Sequence, residues 1–133
     1  VYEGMWEHGK LHNGKRTYAN EAVYVGELLH LKPHGLGKMT YADGGVYEGM
    51  WEHGNPHGFG KLSRDRGSVC EGMWEHGKLH NGKRTYANGD VYVGEFLHGN
   101  PHGLGKMTYA DGGVYEGMWE HGKLHNGKRT YAN

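Results

Sequence analysis

Polar and apolar residues alternate along Val46-Tyr47-Glu48-Gly49-Met50-Trp51, so a period of two puts Tyr47, Gly49 and Trp51 on one face of a strand and Val46, Glu48 and Met50 on the other. Glycine between two aromatics weakens an isolated strand. The missing side chain also leaves a slot for a ring from a neighbouring strand, and in that role the glycine is a packing device. The run His53-Gly54-Asn55-Pro56-His57-Gly58 is rich in turn formers and reverses the chain, and a second short strand follows, clearest at Gly105-Lys106-Met107-Thr108-Tyr109. Ala110-Asp111-Gly112-Gly113 and Ala87-Asn88-Gly89-Asp90 then predict tight hairpin turns, because both central residues of Asp-Gly and Asn-Gly tolerate positive φ. No stretch is long enough and poor enough in glycine for a helix, so the pattern predicts an all-β chain of antiparallel hairpins.

The pattern recurs with equivalent valines at Val1, Val23, Val46, Val69, Val91 and Val114, which defines one array over residues 1–133 with units 1–22, 23–45, 46–68, 69–90, 91–113 and 114–133. A longer register of 68 residues overlies it, matching 1–22 to 69–90 and 23–45 to 91–113. Drift at Leu31, Cys70 and Ser63-Arg64-Asp65-Arg66 favours natural duplication over design. A single hairpin is marginal in water, so stability is expected from stacking of the repeated columns into a continuous aromatic strip. Its members are Tyr2, Gly4, Trp6, Tyr24, Gly26, Tyr47, Gly49, Trp51, Gly72, Trp74, Tyr92, Gly94, Tyr115, Gly117 and Trp119. The expected architecture is an elongated, open-ended single-layer meander, whose unpaired edge strands invite a homodimer or further repeats; the chain reads as an excerpt of a longer array.

Composition narrows the function. Twenty-six glycines exclude an ordinary helical domain, and ten Tyr and four Trp at regular intervals exclude disorder. Fifteen basic residues balance fifteen acidic ones, so no global field draws the chain to nucleic acid, and no nucleic-acid partner is expected. Cys70 is the only cysteine, which excludes an intramolecular disulfide and points to a reducing, cytoplasmic setting. No apolar run approaches the roughly 20 residues that span a bilayer, and Val1-Tyr2-Glu3-Gly4 does not begin a signal peptide.

The string from Tyr47 to Gly60, Tyr-Glu-Gly-Met-Trp-Glu-His-Gly-Asn-Pro-His-Gly-Phe-Gly, resembles the MORN (membrane occupation and recognition nexus) pattern YxGxWxxGxxxGxG. The resemblance extends over essentially the whole chain, with residues 92–105 close to the pattern. The first, fourth and sixth units, reading His12-Asn13-Gly14, His80-Asn81-Gly82 and His125-Asn126-Gly127, lose one residue of the GxG element. That shortening is expected to tighten the hairpin tip and to interrupt any uniform groove, while Leu31 and Cys70 loosen packing locally. The resemblance implies an antiparallel sheet with a shallow groove, found at membrane contacts, in ciliary and cytoskeletal assemblies, and beside lipid-kinase or methyltransferase domains. It implies no catalytic residue and no cofactor.

The twelve histidines form the pairs His8/His12, His30/His34, His53/His57, His76/His80, His98/His102 and His121/His125. On a helix HxxxH converges on a metal, but in Gly/Pro-rich turns it need not, so copied turn positions are the favoured reading, with His8, His12, His53 and His57 as weak metal candidates. Charging of the histidines between about pH 7 and 5.5, near their reference pKa, would make the array basic and alter self-association or anionic-lipid binding. Lys15, Arg16, Lys38, Lys61, Lys83, Arg84, Lys106, Lys128 and Arg129 form a candidate basic stripe for lipid phosphates or an acidic partner. Alternation sends the members of each Lys-Arg pair to opposite faces, and Glu7, Glu52, Glu75 and Glu120 lie nearby, so a solvated face is favoured. The tryptophans read as internal packing rather than a stacking platform, the Gly35-Leu36-Gly37 type of element lacks a nucleotide loop's further residues, and Cys70 reads as structural rather than nucleophilic. The leading expectation is a non-catalytic scaffold or protein–protein interaction module in a cytoskeletal, ciliary or membrane-contact assembly. The alternative is a peripheral membrane module that binds anionic phospholipid or phosphoinositide headgroups.

Overall fold

Twelve strands follow one another in sequence order as a single antiparallel sheet, in a computed structural model that describes residues 2–7, 10–64 and 67–131. The side chains of Tyr2, Trp6 and His12, and the whole of His8, lie outside the described residues. The strands are β1 (Tyr2–Glu7), β2 (Lys10–Thr17), β3 (Val23–Leu29), β4 (Lys32–Thr40), β5 (Val46–Glu52), β6 (Asn55–Ser63), β7 (Val69–Glu75), β8 (Lys78–Thr85), β9 (Val91–Leu97), β10 (Asn100–Thr108), β11 (Val114–Glu120) and β12 (Lys123–Thr130). At about 4.8 Å per strand the array runs for roughly 50 Å. Among the described residues there is no α-helix, as the glycine content predicts. Nor, among those residues, is any helix long and apolar enough to cross a membrane.

The two kinds of turn exchange the roles expected of them. Type I′ geometry, with positive φ at both central residues, falls at the hairpin tips: His53 has φ 49° and Gly54 φ 87°, and Glu52 pairs with Asn55 across them. The strand therefore resumes at Asn55, earlier than the turn-rich composition suggests. Among the described residues, each link between units has a single residue with positive φ: Glu21 (φ 75°) in the first, and Gly44, Gly67, Gly89 and Gly112 in the others. Gly44 (φ 93°) donates its N–H to Tyr41 O at 3.0 Å, and the Asp43 carboxylate accepts from Gly45 N at 2.9 Å, the local bond that makes Asp a turn former.

A row of facing glycines crosses every strand, Gly4, Gly14, Gly26, Gly37, Gly49, Gly60, Gly72, Gly82, Gly94, Gly105, Gly117 and Gly127 in turn. The Tyr24 ring lies down along its strand across this row, and its hydroxyl donates to Glu27 O at 2.6 Å. A side chain on Gly37 would collide with that hydroxyl, whereas one on Gly26 would meet the backbone of β4. The ring slot thus belongs to the glycine of the second strand, in Gly37, Gly60 and Gly105. The glycine between the two aromatics permits close backbone approach instead. Tyr47 and Tyr92 repeat the arrangement, donating to Met50 O at 3.0 Å and Glu95 O at 2.9 Å.

Rings pack edge to face along the inner side of the sheet. Trp51 touches Tyr24 and Tyr47 at centroid separations of 5.4 and 5.0 Å, and Trp74 meets Tyr47 at 5.2 Å. Tyr92 packs on Phe96 at 5.0 Å and on Trp119 at 5.4 Å. Each such pair adds about 0.5–1.5 kcal/mol beyond area burial.

The residue missing from the short units comes out of a bulge, not out of the tip. His121 and Gly122 (φ 50° and 85°) turn as His53 and Gly54 do. In the long units His57-Gly58-Phe59 bulges opposite the single residue Met50, whereas in the fourth unit only His80 is extra. Unit-to-unit coupling changes with it. After a long unit the next tip docks backbone to backbone, Gly54 N donating to Pro33 O at 3.0 Å, and the next tryptophan donates its indole N–H, Trp51 Nε1 to Gly37 O at 3.0 Å. After a short unit an arginine reaches the next tip, Arg16 Nη1 to Leu31 O at 3.2 Å and Arg84 Nη1 to Gly99 O at 3.1 Å. The tryptophan column there carries Leu28 or Phe96, which have no N–H to place.

Candidate functional site

The outer face carries the lysines of the candidate stripe, all exposed. Cross-strand register interleaves them with carboxylates and valines in the order Glu3, Lys15, Val25, Lys38, Glu48, Lys61, Glu71, Lys83, Val93, Lys106, Glu116, Lys128. Lys38 faces Glu48, and Glu48 faces Lys61, in the directly opposed geometry that favours unlike charges. These neutralising acids are Glu3, Glu48, Glu71 and Glu116 rather than Glu52, Glu75 and Glu120, which pair with tip residues of their own hairpins.

Arg16, Arg84 and Arg129 sit on the opposite, aromatic face. The Arg16 guanidinium carbon stands 4.2 Å from the Tyr18 ring centroid, Arg84 stands 4.6 Å from that of Tyr86, and Arg129 stands 4.2 Å from that of Tyr115. The nine basic residues are therefore divided between two surfaces.

Beyond the glycine row the outer face presents an uninterrupted apolar run over four strands: Leu36 on β4, Met50 on β5, Phe59 on β6 and Met73 on β7. They are 60%, 41%, 61% and 50% exposed. Leu36 is opposite Met50 and Phe59 opposite Met73. Asn81 follows on β8 and Glu95 on β9, so the run ends at the second strand of the short fourth unit. The alternation in the sequence holds the signal for this strip, since Met50 and Met73 are the outward apolar residues of their strands; that they align with Leu36 and Phe59 depends on the bulges.

The histidines pair between units. His34 and His53 have ring centroids 5.6 Å apart, His57 and His76 5.5 Å, and His102 and His121 5.4 Å. Within the third unit Glu52 lies between both imidazoles, 3.7 Å from His53 Nε2 and 3.4 Å from His57 Nε2. Among the described residues no group of three or more His, Cys, Asp or Glu converges on a point that could hold a metal ion.

On the inner face Cys70 occupies the tyrosine column between Leu62 and Arg84. Burial raises its thiol pKa, with partial opposition from the charges of Arg84 and Arg64, so the neutral thiol is favoured over a nucleophilic thiolate. A hollow of about 340 Å³ opens there, bounded by Leu62, Cys70, Trp74, Arg84 and Phe96. Sequence reading treated Cys70 as a local loosening and missed the hollow, although the absence of a ring from a column of rings was visible.

A family model describing the MORN repeat matches the chain six times in succession, over residues 2–23, 24–46, 47–69, 70–91, 92–114 and 115–133. No curated protein matches the chain significantly.

Proposed function

Because the chain belongs to the MORN-repeat family, whose non-catalytic repeats are generally protein or membrane interaction modules, we propose that it is a non-catalytic protein-interaction scaffold that associates with a second copy of itself. The observation that carries this reading is the exposed apolar run Leu36–Met50–Phe59–Met73 beside a row of alternating charge. Such a face is self-complementary. A twofold axis along the strands, between β5 and β6, turns Lys38 onto Glu71 of the second copy and Glu48 onto Lys61. The same rotation places Leu36 on Met73 and Met50 on Phe59. A cytoplasmic cytoskeletal, ciliary or membrane-contact assembly is the setting that suits a spacer of this kind.

The alternative, a peripheral module for anionic phospholipid or phosphoinositide headgroups, draws on the same lysines. The interleaved glutamates and the inward arginines support the protein reading over it. Light scattering of the chain and of a Leu36→Glu/Phe59→Glu variant, with vesicle sedimentation in parallel, tests the choice. The expected result is a dimer that the double substitution dissociates while circular dichroism is unchanged. A monomer at every concentration overturns the proposal, and binding to phosphatidylserine vesicles that falls steeply with salt favours the lipid alternative.

A further inference from the structure

The inner row of the sheet runs Arg16, Tyr24, Met39, Tyr47, Leu62, Cys70, Arg84, Tyr92, Met107, Tyr115, Arg129 in cross-strand register. First strands otherwise bring a tyrosine to this row; the fourth unit brings a thiol. The sixth unit supplies the comparison, because Val114 and Glu116-Gly117-Met118-Trp119 repeat Val69 and Glu71-Gly72-Met73-Trp74, with Tyr115 in place of Cys70. There the phenol ring lies under the Arg129 guanidinium, whose central carbon is 4.2 Å from the ring centroid, and it stacks on Trp119 at 6.5 Å with an interplanar angle of 28°.

In the fourth unit the guanidinium and the indole remain but the ring between them is gone. A hollow of about 340 Å³, open to solvent, lies there with Cys70, Trp74, Arg84 and Phe96 in its lining. Arg84 keeps its Nη1 bond to Gly99 O at 3.1 Å, yet its Nε is buried without a hydrogen-bond partner. Beyond Trp74 the trough continues into a second hollow of about 370 Å³ that includes Tyr41, Tyr47 and Pro56 in its walls, so an extended segment has room beyond the gap on that side.

Charge selects the occupant further. Arg64, Lys78 and Arg84 line the first hollow with His98, and no carboxylate does so among the described residues. Asp43 reaches Arg64 from outside at 3.4 Å, Glu75 faces Lys78 across the hairpin tip, and Lys78 Nζ lies 3.4 Å from His98 Nδ1. The lining thus retains positive charge around an apolar floor.

We propose that the gap at Cys70 is a docking site for an aromatic side chain, tyrosine or phenylalanine, carried by an acidic peptide segment of a partner protein. The ring enters between Trp74 and Phe96 beneath Arg84, and the flanking carboxylates meet Arg64, Lys78 and Arg84. This rests on the interaction-module reading and adds the chemistry of the partner.

The test is titration of the full chain with a fluorescent peptide of Glu and Asp residues around one central tyrosine, followed by anisotropy and by tryptophan emission. Saturable binding is expected. It should weaken about tenfold or more when the peptide's tyrosine becomes alanine, when Arg84→Met is introduced, and when Cys70→Tyr fills the gap from within. Cys70→Ser leaves the gap open and should bind as the parent does. Cys70→Tyr should also melt higher than the parent, which separates a filled site from a misfolded one. Equal affinity in the Cys70→Tyr chain, or for the alanine peptide, overturns the site while leaving the module reading intact. Absence of binding to the parent chain also overturns the site, and the light-scattering experiment then decides the module reading independently.

Discussion

The hydroxyl of Tyr24 occupies the space that a β-carbon on Gly37 would need, so the ring on one strand and the bare backbone on the next form a single packing unit. The pairs Tyr47–Gly60 and Tyr92–Gly105 copy it. Gly60→Ala should therefore displace the Tyr47 ring and cost about 2–4 kcal/mol, in the range of a disrupted core contact. Gly54→Ala is the control: nothing stands within 4 Å of the added carbon, and only φ 87° opposes it, at about 1 kcal/mol. Thermal melts of the two variants check the order, and equal losses would contradict the ring-over-glycine account.

Leu31 turns a hairpin tip at φ 66°, where the other described tips carry glycine at φ 84–87°. Leu31→Gly removes left-handed strain and keeps the carbonyl that accepts Arg16 Nη1, so it should stabilise the array by about 1 kcal/mol. A melting temperature unchanged or lowered would show that the leucine side chain makes contacts worth as much as the strain.

Burial raises the phenol pKa of Tyr47 and Tyr92 from 10.0 to about 12, helped by Tyr41 at the first and by the Glu95 charge at the second; Tyr24 moves the same way. A folded-state pKa above the unfolded one means that these groups' contribution is fully present below about pH 10. It is lost as pH rises through 12. Tyrosinate absorbance should lag behind that of free tyrosine, and unfolding should accompany ionisation of these rings. Titration of every tyrosine near pH 10 with the sheet intact would refute this.

Glu48→Lys with Glu71→Lys converts the centre of the alternating row into consecutive lysines and raises the net charge by four. Self-association should fall because Lys38 and Lys61 then face like charges in the second copy, and salt-sensitive binding to anionic vesicles should appear. Light scattering and vesicle sedimentation read both effects. Dimerisation unaffected by the double change would exclude the charged row from the interface.

Much of the fold was legible because strand periodicity and repeat length are local properties. The pattern Tyr-x-Gly-x-Trp sorts Tyr47 and Trp51 to one face within one strand, and the glycine-rich punctuation rules out long helices. That alternation also separates Arg84 from Lys83. Residues that meet across strands were harder to read, because their register is set by bulges such as His57-Gly58-Phe59 and by the tip turns.

The chain's own sequence determined an all-β tandem array with an aromatic face, since every unit repeats the same short-range alternation. Only the tertiary structure decided that Tyr24 lies over Gly37, that His57 meets His76, that lysines and glutamates interleave, and that Cys70 leaves a hollow beneath Arg84. The physical reason is that a missing ring or an unlike-charge neighbour exists only between strands. Backbone hydrogen bonds and the extra bulge residues fix which strands' side chains share that space.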